Sequence, residues 1–370
     1  MSSFVHLHCH SEYSILECPN RIDDLISAAQ ASDMKALALT DNATMYGAIE
    51  FYQKAKQAGI KPIIGADIYV SDTIKEKQRW QYRLILLAQS AIGYQNLIKL
   101  ISIAHLDGMY YKPRLDFETI QRYQEGLVAI SSPGRGQVAM ALQEHQEQNA
   151  LDAAKQLKAI FADRCYLGVQ RVGDPHEQLV EDGCIAISKQ LSIDIVALNN
   201  IYTMKKSDAQ LRDVLFCIQT GKLLDDITQS DQQHHQLYFK STEDMLVLFE
   251  DQPEWIANSV KIADQCHLTI DMEQVLLPRF ECPDQLSSKA YLEQLVWQGI
   301  DRLYPERTSE IVDRVSYELG IIFKMQYENY FLIIYDFLNY CYQNNIPVGP
   351  GRGSAAGSIV SYALDITRCD

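Results

Sequence analysis

The stretch His6-Leu7-His8-Cys9-His10 places three imidazoles at alternate positions. In a regular strand, alternate side chains share a face. Imidazoles at i and i+2 are a common metal-ligating pair, since each offers a neutral nitrogen lone pair. Two surface histidines on a strand have the same spacing. The Ser11-Glu12-Tyr13-Ser14 run that follows, with Thr40-Asp41 further on, favours the metal reading. A second candidate is Val348-Gly349-Pro350-Gly351-Arg352-Gly353-Ser354-Ala355-Ala356-Gly357-Ser358. Ser354 can cap a helix over Ala355 to Leu364, whose first N–H groups and positive dipole end would suit a phosphate. Arg352 adds a guanidinium that forks onto phosphate oxygens. No Gly-Lys-Ser/Thr closes the loop, so it is not a Walker A sequence. A glycine turn that lets a helix pack closely is the other reading of this segment.

Other polar groups carry less. His105 could point at a barrel mouth or serve as a buried structural histidine. His234-His235 could bind metal, yet sits in the polar run Ser230-Asp231-Gln232-Gln233, as a solvated loop would. Lys112 and Arg114 beside Tyr110-Tyr111 could pair with phosphate and stack on bases, or form surface salt bridges.

These groups need a scaffold. Short apolar runs expected as strands are Phe4–His8, Ala36–Asp41, Lys61–Val70, Leu84–Ala88, Leu127–Ser131, Cys165–Val169 and Ile195–Leu198. Between them lie helical patterns such as Arg21–Ser32, with Ile22, Leu25, Ile26 and Ala29 on one face, and Ile49–Gly59. This alternation implies an α/β domain with mostly parallel strands. Asp41, Ser132, Asn199 and Asn200 stand at strand C-terminal ends, where barrel active sites gather. Past residue 205 the pattern turns helical: Asp208–Thr220, Ser241–Phe249, Glu254–Cys266, Ser288–Leu303 and Thr308–Met325. Two prolines in residues 276–285 mark a linker. The expected domains are therefore 1–275 and 286–370.

The chain has 370 residues and a net charge of −15. So acidic a chain is not a simple nucleic-acid-binding module, although DNA contacts could lie elsewhere in a larger enzyme. No apolar run is long enough for a membrane helix and no signal peptide opens the chain. Nine scattered cysteines, none in a C-x-x-C pair, fit free thiols in a reducing cytoplasm.

The opening His6-Leu7-His8-Cys9-His10 with Thr40-Asp41, the Tyr110-Tyr111-Lys112-Pro113-Arg114-Leu115-Asp116 segment and Cys217-Ile218-Gln219-Thr220-Gly221-Lys222 resemble a PHP (polymerase and histidinol phosphatase) domain in its polymerase version. The resemblance implies a distorted (β/α)7 barrel, which in intact members holds metal ions that activate water for phosphoester hydrolysis. Asn329-Tyr330-Phe331-Leu332-Ile333-Ile334-Tyr335-Asp336-Phe337, Ile346-Pro347-Val348 and the glycine loop resemble the start of the palm in C-family replicative polymerases, the bacterial DNA polymerase III alpha subunits. Together these similarities cover essentially the whole chain. They imply that Arg352, Gly353 and Ser354 hold the phosphates of the incoming nucleotide. They also imply Mg2+-dependent nucleotidyl transfer onto a primer-template from dNTPs, with a proofreading exonuclease subunit and a sliding clamp as partners. The palm aspartates of that family are expected beyond residue 370, so no catalytic residue is assigned here.

The PHP resemblance also exposes losses. Asn42 follows Thr40-Asp41 where intact members carry His, and Asp67 stands where Glu is usual. Pro133 replaces a ligand Cys, and Asn199-Asn200-Ile201-Tyr202 lacks an Asp and a His. His8, His10, Asp41 and Asp67 are the residual metal residues, for Zn2+ or Mn2+, with Glu12 and Glu17 nearby. Too few donors remain for a cluster. The expected function is thus the N-terminal part of a replicative polymerase, its barrel structural or exonuclease-recruiting. The competing reading is a metal-dependent PHP phosphoesterase or 3′–5′ exonuclease.

Overall fold

The computed structural model describes residues 4–77, 79–226, 235–272 and 276–370. It divides into two compact units, residues 1–270 and 271–370. The strands of the first unit are Ala36–Leu39 (β1), Lys61–Val70 (β2), Tyr82–Ala88 (β3), Met109–Tyr110 (β4), Lys112–Leu115 (β5), Leu127–Ser131 (β6), Cys165–Val169 (β7) and Asp194–Ala197 (β8). Its helices are Ile22–Ala31 (α1), Ala48–Gln57 (α2), Ala91–Leu106 (α3), Phe117–Arg122 (α4), Gln137–Gln143 (α5), Glu147–Phe161 (α6), Glu177–Leu191 (α7), Ala209–Thr220 (α8), Thr242–Leu248 (α9) and Pro253–Gln265 (α10).

The strands form one curled sheet in the order β4-β5-β2-β3-β6-β7-β8, with β1 also on β2. An α/β barrel-like sheet is what the strand and helix alternation implied. The mostly parallel pairing is corrected at two strands: β3 runs antiparallel to both β2 and β6, and β4 runs antiparallel to β5. The reason lies in the connection. Among the described residues between β2 and β3 there is no helix, and without a crossover the chain must turn back beside the strand it leaves.

Both faces of the sheet are apolar. Inward residues Ile63, Ile85, Leu87, Val128, Ile130 and Val196 pack with Ile262 and Ala263 of α10. Outward residues Leu37, Leu39, Ile64, Leu86, Leu127, Leu167 and Ile195 pack under the helices. The expected face of α1, Ile22, Leu25, Ile26 and Ala29, is buried there.

Residues 4–10 bring the two ends of the curled sheet together. Ala38 N donates to His6 O and Thr40 N to Cys9 O on one side. On the other, Ile201 N donates to His8 O and His10 N to Ile201 O. A step of two residues along β1 and its continuation, from 38 to 40, is matched by a step of three on this segment, from 6 to 9. One extra residue in a paired strand is a β-bulge. Val5 and Leu7 therefore face inward with the barrel core, while Cys9 joins the outer core with Phe4. Beyond the bulge, His8 and His10 face the interior.

The second unit is helical: Ser288–Leu303 (α11), Ser309–Lys324 (α12), Glu328–Gln343 (α13) and Ile359–Ala363 (α14). Ser287 and Thr308 cap α11 and α12 through their side chains. Leu292, Val296, Ile300, Val315, Leu319, Leu332 and Val360 form its core. Close approach of α11 to α14 requires glycine: a Cβ on Gly299 would stand 2.0 Å from the Ala363 carbonyl oxygen. Among the described residues no helix is long and apolar enough to cross a membrane.

Candidate functional site

The barrel interior gathers His8 and His10 from the bulged segment, Asp67 from β2 and Arg83 from β3. His8 Nε2 lies 2.9 Å from Asp67 Oδ2, and the two imidazole centroids are 5.0 Å apart. One ligand atom from each of His8, His10 and Asp67 lies within 4.8 Å of the others. All three residues are buried.

Two of the expected partners stay out of this group. His6 is turned to the other side by the bulge, against Phe4 and Phe239, and its Nε2–H donates to Lys240 O at 2.8 Å. Asp41, expected as a metal residue, is not in the group either. Its carboxylate accepts from Ser11 N at 2.6 Å, Ser11 Oγ at 2.7 Å and Ser14 Oγ at 2.7 Å. Its work is to tie down the loop after His10.

Arg83 is absent from the residues expected at the site, yet it dominates the electrostatics. Its Nε donates to Asp67 Oδ1 at 2.9 Å and its terminal nitrogen to Asp67 Oδ2 at 2.6 Å. The same nitrogen also meets Asn42 Oδ1. The guanidinium lies 4.3 Å from the Tyr69 ring centroid. Burial alone would raise the pKa of Asp67, but Arg83 and His8 hold it well below the usual carboxylate range. Burial likewise works against the charge on Arg83, and Asp67 more than restores it.

Asn42 and Tyr202, two of the departures noted in the sequence, fill the space beside this pair. Asn42 Nδ2 contacts Glu17 and sits 3.3 Å from the Tyr202 hydroxyl. The Tyr202 ring stacks on His10 at 4.1 Å, with the Arg212 guanidinium 3.8 Å above its other face. Glu17 is also bound by Lys112 at 2.8 Å and by Gln219 of α8 at 3.1 Å. Burial opposes its ionisation, but Lys112 and these donors hold its pKa down.

Hydrogen bonding fixes the tautomers. Asp67 only accepts, so His8 Nε2 carries the hydrogen, and in the tautomer with that hydrogen alone Nδ1 is a lone pair. Ser14 gives its hydroxyl hydrogen to Asp41, so it accepts from His10 Nδ1–H at 3.4 Å. His10 Nε2 is then a lone pair too, and burial, with the neighbouring His8, keeps this ring from protonating. Both lone pairs are buried without a partner.

The remaining candidates resolve as structural. His105 Nε2 donates to Ala43 O at 2.8 Å. Arg114 is buried and donates to Gly108 O and Glu76 O. Asn199 is held by Tyr238 O and by Lys240. His235 Nε2 is 3.4 Å from Asp213, and His234 lies outside the described residues.

In the second unit the glycine loop differs from expectation in where its helix begins. Ser354 opens a 3-10 turn, Ser354–Gly357, and makes no side-chain cap. The cap is Ser358, whose Oγ accepts from Ser361 N at 3.1 Å, and α14 is only five residues long. Glu318 already occupies its start, accepting from Ser358 Oγ at 2.7 Å and Val360 N at 3.2 Å. Free N–H groups at that helix end are therefore not what the loop offers a phosphate. The loop itself is open. Gly351 and Gly353 have positive φ of 124° and 71°, and Arg352, Gly353 and Ser354 are exposed. Its base is pinned by Thr367 Oγ1 and Arg368 N, which both donate to Pro350 O, at 3.0 and 2.8 Å.

The PHP domain model matches residues 6–172. The model described as the bacterial DNA polymerase III alpha NTPase domain matches residues 290–370. Over its full length the chain is 40% identical to the DNA polymerase III subunit alpha of Borreliella burgdorferi, 38% to that of Treponema pallidum and 36% to that of Pseudomonas fluorescens. The chain belongs to the DNA polymerase III alpha-subunit family. It spans 33%, 32% and 32% of the length of those three relatives. Among solved structures, an amidohydrolase from Chromobacterium violaceum superposes with a TM-score of 0.38 at 13% identity, covering 54% of this chain and 88% of that one. So loose a likeness carries no argument.

The PHP match poses the question of metal, and the donors answer it. Two unpartnered imidazole lone pairs suit an ion. The third donor does not, because both oxygens of Asp67 are committed to Arg83 and His8. A fixed cation on the only grouped carboxylate repels a second one. Asn42 and Tyr202 fill the adjoining space with neutral groups that are poor ligands for zinc or manganese. These residues do not fit a metal cluster.

Proposed function

We propose that this chain serves template-directed DNA synthesis as part of a replicative polymerase, with the first unit acting as a metal-free structural barrel. The full-length match to DNA polymerase III alpha subunits carries this reading. In it, Arg352, Gly353 and Ser354 bind the triphosphate of an incoming dNTP, paired to a primer-template, and Mg2+ supports the transfer. Exposed loop N–H groups and the Arg352 guanidinium are the phosphate donors, in a loop kept open by Gly351 and Gly353. A barrel with no hydrolytic centre leaves proofreading to a separate exonuclease subunit, for which it is a docking platform beside the sliding clamp.

The test is primer extension with residues 1–370 joined to the remaining two thirds of a polymerase III alpha subunit. Arg352→Ala should lower the efficiency of dNTP use roughly ten- to a hundredfold, since charge-assisted hydrogen bonds contribute about 1.5–3 kcal/mol each. Duplex binding should hold. Ser354→Ala should do less, because its side chain caps nothing. Unchanged nucleotide kinetics in a folded Arg352→Ala protein would leave the loop a packing turn. Residues 1–370 alone should neither extend a primer nor degrade its 3′ end. Metal-dependent degradation abolished by His8→Ala would favour the phosphoesterase reading.

A further inference from the structure

We infer that Arg83 is the resident cation of the barrel site, a covalently attached substitute that keeps divalent metal out of a three-donor pocket. The argument starts from two histidine lone pairs. His8 Nδ1 and His10 Nε2 are buried and unpartnered; His6 Nδ1 is too, but only His8 and His10 stand beside a carboxylate. One ligand atom from each of His8, His10 and Asp67 lies within 4.8 Å of the others. Two imidazoles and a carboxylate make a usual zinc-type set. What closes it is a single side chain. The Arg83 fork covers both carboxylate oxygens at 2.9 and 2.6 Å, and its charge remains even in this burial because guanidinium does not deprotonate in proteins.

The placement is specific. In the β2–β3 ladder Asp67 faces Ile85, so Arg83 comes from the next inward position on β3 and reaches back to Asp67. Asn42 Oδ1 takes a further N–H, and Tyr69 lies under the guanidinium plane. Two neighbours, Asn42 and Tyr69, thus hold the group over the carboxylate. Removing it frees Asp67 Oδ1, leaves Oδ2 with His8 alone and takes the positive charge away. Metal affinity responds to such neighbours by about ten- to a hundredfold.

The experiment is equilibrium titration of the 370-residue chain with Co2+ and Zn2+, reading Co2+ ligand-field bands and zinc competition. Wild type should bind neither at this site. Arg83→Ala should gain one site per chain, at least about tenfold tighter than any wild-type site, with no thiolate charge-transfer band. His8→Ala in that background should erase the gain. Arg83→Lys, which keeps a cation on Asp67, should gain nothing. Thermal melts of wild type with EDTA and with Zn2+ need no variant and should coincide. Stoichiometric metal binding or zinc stabilisation of the wild type would overturn the inference. So would a folded Arg83→Ala chain with no gain. These readouts do not involve DNA synthesis, so they stand apart from the polymerase reading.

Discussion

Breaking the Asp67–Arg83 pair from one side should damage the first unit far more than removing it whole. Asp67 and Arg83 side chains are 2% and 10% exposed. Asp67→Asn leaves a buried guanidinium without its counter-charge, and Arg83→Met leaves a buried carboxylate with only His8. Removing one partner of a buried pair costs about 3–5 kcal/mol, whereas replacing both by neutral groups of similar size is often near neutral. Each single variant should therefore lose about 3–5 kcal/mol. The Asp67→Asn/Arg83→Met double variant should lose less than either, giving a coupling energy of at least about 2 kcal/mol in the cycle. Urea unfolding read by Trp255 measures this. Trp255 is buried at 6% exposure in the first unit, and Trp80→Phe and Trp297→Phe remove the other tryptophans. Losses that simply add, or an Arg83→Met cost under about 1 kcal/mol, would refute the argument that this pair is interdependent.

Two further outcomes follow from single groups. Burial holds the His6 pKa down to about 4 from 6.5. Between those values the unfolded chain binds a proton that the folded one refuses, so stability falls as pH drops through 6.5 toward 4, by on the order of 3 kcal/mol from this residue. His6→Phe should show a shallower acid slope over that window; parallel curves would mean His6 is not held neutral. In the second unit, Gly299→Ala drives a methyl group into the Ala363 carbonyl oxygen. It should cost about 1–3 kcal/mol or more, measured by Trp297 fluorescence, while Gly320→Ala, with open space around its Cβ position, should cost nothing or stabilise α12 slightly.

Much of this architecture was readable because periodicity reports burial directly. The α1 stripe and the apolar runs of β6 and β7 lie where their spacing placed them. The antiparallel β3 was missed because strand polarity follows from the connection, and apolar runs alone do not report it. Arg83 was missed because the eye starts a strand at its first apolar residue, Leu84. An inward arginine two positions before Ile85 demanded a buried carboxylate, and that demand was the available signal. Asp41 was grouped with the histidines through the PHP resemblance of Thr40-Asp41, yet local serines compete for a carboxylate as well as any metal does. At the glycine loop, Ser354 and Ser358 are equal candidates for a cap by residue type. Tertiary contact decides, since Glu318 reaches Ser358.

The bulge between His6 and Cys9 has a bearing on how this site can change over generations. Leu7 and His8 both face inward opposite a single position of β1, so one of them is surplus to the ladder. Loss of the His8 codon alone would restore plain alternation: Phe4 and His6 outward, Leu7 inward, Cys9 outward, His10 inward. Nothing downstream would shift register, because the pairing of His10 with Ile201 stays as it is. A deletion, usually the harshest lesion a strand can suffer, is here among the gentler ones. It would subtract one imidazole from the barrel and leave the rest of the segment in its seat.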